Sequence, residues 1–165
     1  MEKYIVAALV EDRPGVLFKV TNLIRRRGFN IDSISVGPVD QHSISRMTIV
    51  INGDEKIIEQ VVKQLRKLLE VVKIVRLNPA ESVLRELALV KVHASESKAR
   101  SDVMDFAEIF RARIVDASSD SLIVEITGDP EKIDAFLNLV KPYGIKEIAR
   151  TGLSALARGS KSIKG

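Results

Sequence analysis

Near its start the sequence reads EDRPGVLFKV, which places a Pro-Gly pair between an apolar run and a segment of helical periodicity. If Pro14 begins the helix and Gly15 has no side chain to cover it, the backbone N–H groups of Val16 and Leu17 are open to a ligand. The helix dipole favours an anion at this point, and a carboxylate would fit. The corner between strand and helix is therefore a candidate site for a small carboxylate.

Asp12 adds a negative charge to the same corner. A carboxylate beside open N–H groups suits an ammonium group, so a zwitterionic amino acid would match both charges at one helix start. The competing interpretation is that Asp12 caps the helix, because every helix needs a start. At the level of the residues alone, both interpretations stay open.

Other patterns in the sequence do not predict catalysis. The chain has no cysteine, which excludes disulfides, thiolate metal sites and a cysteine nucleophile and favours a reducing, cytoplasmic location. His42 and His93 stand alone, without a second ligand at metal-binding spacing. Ser95 and Lys98 match S-x-x-K, but the motifs that accompany that serine chemistry are absent. We therefore expect neither an active site nor a metal or cofactor in this chain.

The net charge of +4 raises the question of nucleic acid as a partner. The densest basic run, Arg25–Arg27, closes a predicted helix, where cations interact favourably with the dipole. The strands predicted for the middle of the sheet carry no aromatic residue on which bases could stack. An RNA-binding protein with this fold is therefore a rival interpretation, but the aromatic residues that it needs are missing. We expect no nucleic-acid or membrane partner.

The elements that must position the corner occur twice. INGDEKII, beginning at Ile51, and ITGDPEKI, beginning at Ile126, each end a strand with glycine and place an aspartate as a helix N-cap. The first half is predicted to run strand 4–10, helix 16–27, strands 30–36 and 45–51, helix 55–69 and strand 71–77. The second half is predicted to run strand 84–92, helix 102–110, strands 114–117 and 122–126, helix 131–140 and strand 145–150.

The resulting order, βαββαβ in each half, predicts an α+β fold of two tandem ferredoxin-like domains. We expect domain 1–78, a linker containing LNPAES, domain 83–158 and a flexible tail at 159–165. Each domain is small and leaves a sheet edge open, so we expect at least a homodimer through the first domains. The second half has SESKAR at its corner and no Pro-Gly pair, which favours a binding site in the first half only.

The first half resembles the ACT domain, an amino-acid-binding regulatory module, because EDRPGVL follows its first strand and RRGFNIDSISVGP its first helix. Five ordered blocks over nearly the whole chain resemble the family of small, regulatory subunits of acetolactate synthase. The blocks are RPGVLFKVTNLIRRRGFNIDSISVGP, SRMTIVINGDEKIIEQVVKQLRKL, ELALVKV, EIFRARIVD and EIARTGLSALARG.

The resemblance implies that two first domains pair so that the loop around Asp12 and Gly15 of one chain faces Asn30 of the other, with valine between them. Leu17 and Ile31 would then meet the apolar side chain of this effector. Position 12 carries Asp where Asn is common in the family, so the charge of the site differs. The Asn30 amide can accept from an ammonium group and donate to a carboxylate.

The resemblance also implies a catalytic large subunit, a separate chain that carries thiamine diphosphate, magnesium and FAD. The small subunit would raise the activity of that chain and impose feedback inhibition by valine in branched-chain amino-acid biosynthesis, in the cytoplasm. The alternative is a free-standing, amino-acid-sensing ACT regulator of another partner. It is disfavoured because no helix-turn-helix segment remains outside the two repeats.

Overall fold

The computed structural model describes residues 2–39 and 43–164, which form two compact units. One unit is Met1–Val83 together with Leu153–Gly165, and the other is Leu84–Gly152. Both units have the order βαββαβ, so the predicted α+β fold with two ferredoxin-like repeats is confirmed. No helix in the described part of the chain is both long and apolar enough to cross a membrane.

The first unit is a four-stranded antiparallel sheet with two helices. Its elements are β1 (Glu2–Glu11), α1 (Val16–Arg26), β2 (Asn30–Pro38), β3 (Ile44–Gly53), α2 (Glu55–Leu65) and β4 (Val71–Leu77). The strand order is β2-β3-β1-β4, so β2 is an edge strand. The central strand β1 pairs with β3 over its whole length, from Glu2 opposite Gly53 to Glu11 opposite Ile44.

Side-chain alternation along β1 and β3 gives this sheet two different faces. One face packs on α1 and α2 and forms the core, whose fully buried members include Val6, Ile24, Ile49, Ile58 and Val61. The opposite face, which we call the helix-free face, carries Ile5, Ala7 and Leu9 of β1 with Arg46, Thr48 and Val50 of β3. The three β1 residues of the helix-free face are also buried, so this face is covered as well.

The second unit repeats the plan. Its elements are β5 (Ser82–His93), α3 (Ser97–Ile109), β6 (Arg113–Ala117), β7 (Ser121–Gly128), α4 (Pro130–Val140) and β8 (Ile145–Arg150). The path through the sheet is β6-β7-β5-β8, and its core centres on Val90, Val103 and Phe136. A further short strand, β9 (Ser154–Ala157), belongs to the first unit and was not predicted from the sequence.

Both predicted N-caps are confirmed. Asp54 accepts a hydrogen bond from Ile57 N at 3.0 Å, and Asp129 accepts one from Lys132 N at 2.8 Å. Most boundaries differ from the sequence prediction by one or two residues, and two helix boundaries differ by more. Helix α2 ends at Leu65 rather than at residue 69, because tight turns follow it, and α3 begins at Ser97 rather than at residue 102. The first turn of α3 is polar and has no apolar periodicity that could have revealed it.

Candidate functional site

The corner between β1 and α1 is a tight turn. Gly15 has φ 88° and ψ −14° and is the N-cap of α1, without a side-chain capping bond. These angles match the third residue of a type II turn, a position that requires a positive φ and follows proline. The N–H of Val16 lies 3.4 Å from the carbonyl oxygen of Arg13 and closes that turn loosely. Pro14 therefore precedes α1 rather than beginning it, and the interpretation that Asp12 caps the helix is wrong.

Two backbone donors at the start of α1 are unused. The N–H groups of Leu17 and Phe18 have no acceptor within the described residues, and the helical bonds begin with Lys19 N to Gly15 O at 3.0 Å. A Cβ built on Gly15 would meet no atom within 4 Å, so the space above the turn is open. Leu17 thus keeps the open N–H group expected of it, whereas Val16 uses its own in the turn. Open donors at a helix start can hold a carboxylate.

Four charged side chains fix this corner, and we call them the corner ion cluster: Glu11, Arg13, Lys19 and Glu70. Glu70 is 6% exposed, accepts a hydrogen bond from Lys19 Nζ and has Oε1 3.6 Å from Arg13 Nη2. Arg13 Nε lies 2.7 Å from Oε2 of Glu11. The hydrogen bond from Lys19 holds the pKa of the Glu70 carboxyl below its ordinary value. The cluster joins the corner to the chain that precedes β4.

Sequence reasoning missed this cluster. Glu70 follows α2 and lies 51 positions from Lys19 along the chain, so no local spacing indicates their contact. The only local signal was the pair of opposite charges at Glu11 and Arg13, and a charged pair next to a turn is common. The consequence for the site is that Arg13 already has carboxylate partners within the protein.

Asp12 differs from the residues around it. It is exposed, and its carboxylate makes no hydrogen bond or ion pair with any residue that the structure describes. Its backbone N–H donates to the carbonyl oxygen of Ser43 at 2.6 Å, so the residue is anchored through its backbone and not through its side chain as far as the structure describes the chain. A free carboxylate next to unused N–H groups can accept the ammonium group of a zwitterion whose carboxylate meets those donors.

Asn30 and Ile31 lie at the start of β2. Asn30 is exposed and paired with Asn52 across the sheet, and its side chain has no partner among the described residues. It lines an open cleft of about 850 Å³ together with Phe29 and Asp54. Ile31 is half-buried and packs against the core, whereas Leu17 is 46% exposed. Leu17 is therefore the more accessible of the two predicted apolar contacts.

The structure does not bring the two groups of predicted site residues together within one chain. Gly15 precedes α1 and Asn30 follows it, and a helix of 11 residues is about 16 Å long. The N-terminal end of α1 carries Gly15 together with Asp12, Val16 and Leu17. The chain beyond its C-terminal end carries Asn30 and Ile31. A single small amino acid cannot span that length, so one copy of the chain holds two incomplete halves of the predicted site.

The equivalent corner of the second unit is occupied by the protein's own side chains. Arg100, in the first turn of α3, donates to Ala94 O at 3.0 Å and to Ser118 O at 2.8 Å. Asp120 and Lys146 form an ion pair of 2.5 Å nearby, and hydrogen bonds from Lys146 and Ser118 lower the pKa of Asp120. The corner of the second unit is therefore closed by internal hydrogen bonds, whereas the space above Gly15 in the first unit is open.

The remaining polar candidates form local contacts. The Nε2 atom of His93 lies 3.3 Å from Ser95 Oγ, and Lys98 Nζ lies 3.9 Å from Asp102. His42 lies outside the described residues. Within the described ranges no group of three or more histidine, aspartate or glutamate residues could hold a metal ion.

Comparisons with known proteins give the same family along both halves of the chain. A family model described as the small subunit of acetolactate synthase matches residues 85–159, and a model described as an AHAS small subunit-like ACT domain matches residues 6–73. The chain is 52% identical to a probable acetolactate synthase small subunit of Methanothermobacter thermautotrophicus, over 98% of this chain and 96% of that one. It is 48% identical to the acetolactate synthase small subunit of Mycolicibacterium smegmatis, over 96% and 92%.

A solved structure agrees with these sequence relatives. The crystal structure of the acetolactate synthase small subunit from Thermotoga maritima superposes with a TM-score of 0.89 at 44% identity, covering 98% of this chain and all of that one. The relatives match both units and nearly the full length. The chain therefore belongs to the family of acetolactate synthase small subunits, the regulatory subunits of that enzyme.

Proposed function

We propose that this protein raises the activity of an acetolactate synthase large subunit and makes that enzyme sensitive to valine. The observation that carries the sensing part is the corner at α1. Asp12, whose carboxylate has no partner among the described residues, precedes the turn after which the N–H groups of Leu17 and Phe18 are unused. The open space above Gly15 leaves room for a ligand to approach the backbone. The carboxylate of Asp12 and the unused N–H groups match the ammonium and carboxylate groups of an α-amino acid.

The site is completed by a second copy of the chain. A two-fold axis that pairs first units places the Gly15 end of α1 in one protomer opposite Asn30 of its partner, and it forms two equivalent sites. Exposed apolar side chains on α1 and on the edge strand β2 suit such a seam: Leu17, Phe18 and Val36 are 46%, 68% and 44% exposed. The edge strand also offers unpaired backbone groups.

Selectivity comes from the few contacts that a branched side chain makes. Leu17, and the half-buried Ile31 of the partner protomer, supply an aliphatic surface for it. One methylene more or less in such a setting changes the binding free energy by about 1–3 kcal/mol. Discrimination among valine, leucine and isoleucine is therefore limited to about that difference in binding free energy.

Inhibition works as a population shift. Valine that bridges two protomers favours one arrangement of the paired first units, and the large subunit must bind the two arrangements with different affinity. We assign thiamine diphosphate, magnesium and FAD to the large subunit, and this chain supplies regulation alone. Because the chain has no cysteine, the proposal includes a cytoplasmic location.

The proposed division of the chain is an effector-binding ACT domain at 1–78, a second domain at 83–158 that serves contact with the catalytic chain or further assembly, and a tail at 159–165. The tail is proposed as more flexible than the two domains, and Lys161, whose Nζ lies 3.1 Å from Oε2 of Glu81, ties it to the first unit.

Calorimetric titration of the full chain with L-valine, L-leucine and L-isoleucine tests the sensing part of the proposal. The account predicts saturable binding with two valine sites per dimer and loss of that binding in Asn30→Ala. The activating part is tested by adding the protein to the purified large subunit and measuring acetolactate formation. No increase in rate would contradict activation, and no binding of any of the three amino acids would contradict sensing.

A further inference from the structure

The C-terminal residues 153–164, which we call the strap, pack on the first unit. They include β9 and lie against the helix-free face of the sheet. Leu153 and Ala155 are 4% and 3% exposed, so part of the strap is as well buried as a core strand. Sequence reasoning had treated the last residues of the chain as a tail.

Three polar contacts join the strap to β2 and β3. Arg46 Nη2 donates to the carbonyl oxygen of Ala155 at 2.7 Å. The N–H of Leu153 lies 3.5 Å from Ser33 Oγ, and the hydroxyl groups of Ser35 and Ser154 are 3.3 Å apart. The Arg46 contact is the shortest of the three and is the one that involves a charge.

Among the described residues, the strap supplies the hydrogen-bond acceptor of the Arg46 side chain. The guanidinium is half-buried opposite Leu9, and this burial lowers the pKa of Arg46. Within the described residues no carboxylate lies within ion-pair distance of it. A partly desolvated cation without a hydrogen-bond acceptor is unfavourable, so the carbonyl of Ala155 stabilises Arg46 as much as Arg46 holds the strap.

The strap is also held from its other side, because β9 pairs with β5, the N–H of Arg158 donates to the carbonyl oxygen of Glu81 at 2.8 Å, and Lys161 Nζ lies 3.1 Å from Oε2 of Glu81. Its contacts with β2 are weaker. The two serine contacts are long for hydrogen bonds, and Leu156 is 60% exposed. An open groove of about 810 Å³ lies beside the strap and is lined by Leu9, Leu77 and Ile163 among others. Because the two serine contacts are long, the strap can loosen from β2 without unfolding the unit beneath it.

Its anchor points lie on β2, which begins at Asn30 of the proposed effector site, and on β3. Ser33 and Ser35 are on β2, three and five positions after Asn30. Arg46 is on β3, shortly after Ser43, whose carbonyl oxygen holds the N–H of Asp12. Ordering of either half of the effector site therefore acts directly on a strand to which the strap is bonded.

We propose that the strap is the output element of the effector site: a bound amino acid orders the start of β2 and the chain at Ser43, and it thereby favours the docked strap. The inference rests on the proposed function, because it needs an effector. By linkage, a docked strap must strengthen effector binding by the same factor by which the effector strengthens docking. Binding of a small ligand is thereby coupled to docking of the strap on the helix-free face of the sheet.

Hydrogen exchange of the full-length protein, with and without L-valine, tests the coupling. The expected result is slower exchange of the amides of residues 153–158 when valine is bound. Arg46→Met removes the anchor, so these amides should exchange faster in the variant, and calorimetry should show valine binding weakened by about fivefold or more. Arg46→Lys keeps a charged donor and should lie between the two.

Arg158→Met is the matched control, because it removes a positive charge from the exposed part of the strap and leaves the Arg46 contact intact. Its valine affinity should equal that of the unaltered protein. A helical circular dichroism spectrum and an unaltered dimer mass for Arg46→Met exclude misfolding as the cause of weakened binding.

Two results would overturn the inference while leaving the proposed function intact. Valine could protect the amides around Asp12 and Asn30 without changing exchange in the strap, or Arg46→Met could free the strap without changing valine affinity. Absence of valine binding to the unaltered protein would overturn both, and it is recognised in the calorimetric control before any variant is compared.

Discussion

Gly15 and Asn30 flank helix α1 from its two ends, and the length of that helix separates them by about 16 Å. Gly15 lies in a turn with open space above it, and Asn30 lies at the start of the edge strand β2. The two residues cannot contact one small ligand in the same chain. Any site that uses both must be shared between protomers, which is the central claim of the account.

Gly15→Asp should abolish valine binding, because it would place a second carboxylate where the carboxylate of the effector meets the helix start. The variant also strains the backbone, since φ at this position is 88°. Gly15→Asn has nearly the same shape and backbone strain without the charge, so the difference between the two variants isolates electrostatics. We expect valine affinity at least about tenfold weaker in Gly15→Asp than in Gly15→Asn. Equal affinities measured by calorimetry would contradict the placement of the ligand carboxylate.

Glu70→Gln should lower the melting temperature at neutral pH, because the corner ion cluster loses its buried carboxylate. The pKa of Glu70 is lowered in the folded protein, so its contribution to stability is fully present above the ordinary value of about 4.5 and is lost as the pH falls through the folded value. The difference between the two proteins should therefore shrink below pH 4.5 in thermal unfolding. Glu59→Gln, an exposed change on α2, is the control and should show little difference. A Glu70→Gln difference that stays constant between pH 7 and 3 would argue against the ion-pair explanation.

Arg150→Met should destabilise the second unit. Arg150 holds the 7% exposed carboxylate of Glu86 through two hydrogen bonds of 2.6 and 2.8 Å, and Glu86 raises the pKa of Arg150. Removal of the cation leaves a buried charge unpaired, which costs about 3 kcal/mol of unfolding free energy. Asp134→Asn removes the exposed partner of the same arginine and should cost less than about 1 kcal/mol. Urea unfolding measures both values, and similar losses in the two variants would contradict the role assigned to burial.

The element order could be predicted from the sequence because its signals are local. Apolar alternation identified the strands, and Asp54 and Asp129 marked two helix starts that the structure reproduces. The Pro-Gly pair also predicts the turn at residues 13–16, since proline followed by glycine is typical of a type II turn with a positive φ at glycine. Recognising that turn would have shown that Gly15, and not Asp12, stands at the helix start.

Other features depend on contacts between distant parts of the chain, and no local pattern indicates them. Glu70 meets Lys19 only after α2 has packed beside α1. The strap is short, and its anchor to Arg46 joins residues 109 positions apart. The first turn of α3 escaped prediction because its one apolar residue, Ala99, stands among serine, lysine and arginine residues. These are the places where tertiary structure, rather than propensity, determines the conformation.

Mixing two inactive variants tests the central claim most directly. Gly15→Asp and Asn30→Ala should each fail to bind valine as homodimers. In a heterodimer of the two, one site contains both substitutions and the other contains neither. Random exchange of protomers should then restore about a quarter of the valine sites of the unaltered protein, because half of the dimers are mixed and each has one intact site.

Native mass spectrometry establishes that heterodimers have formed, and calorimetric titration with L-valine counts the sites. Restored binding of about one quarter, with the affinity of the unaltered protein, is the result that the account predicts. A mixture that contains heterodimers but binds no valine would show that Gly15 and Asn30 do not form one site across the dimer, and it would contradict the account.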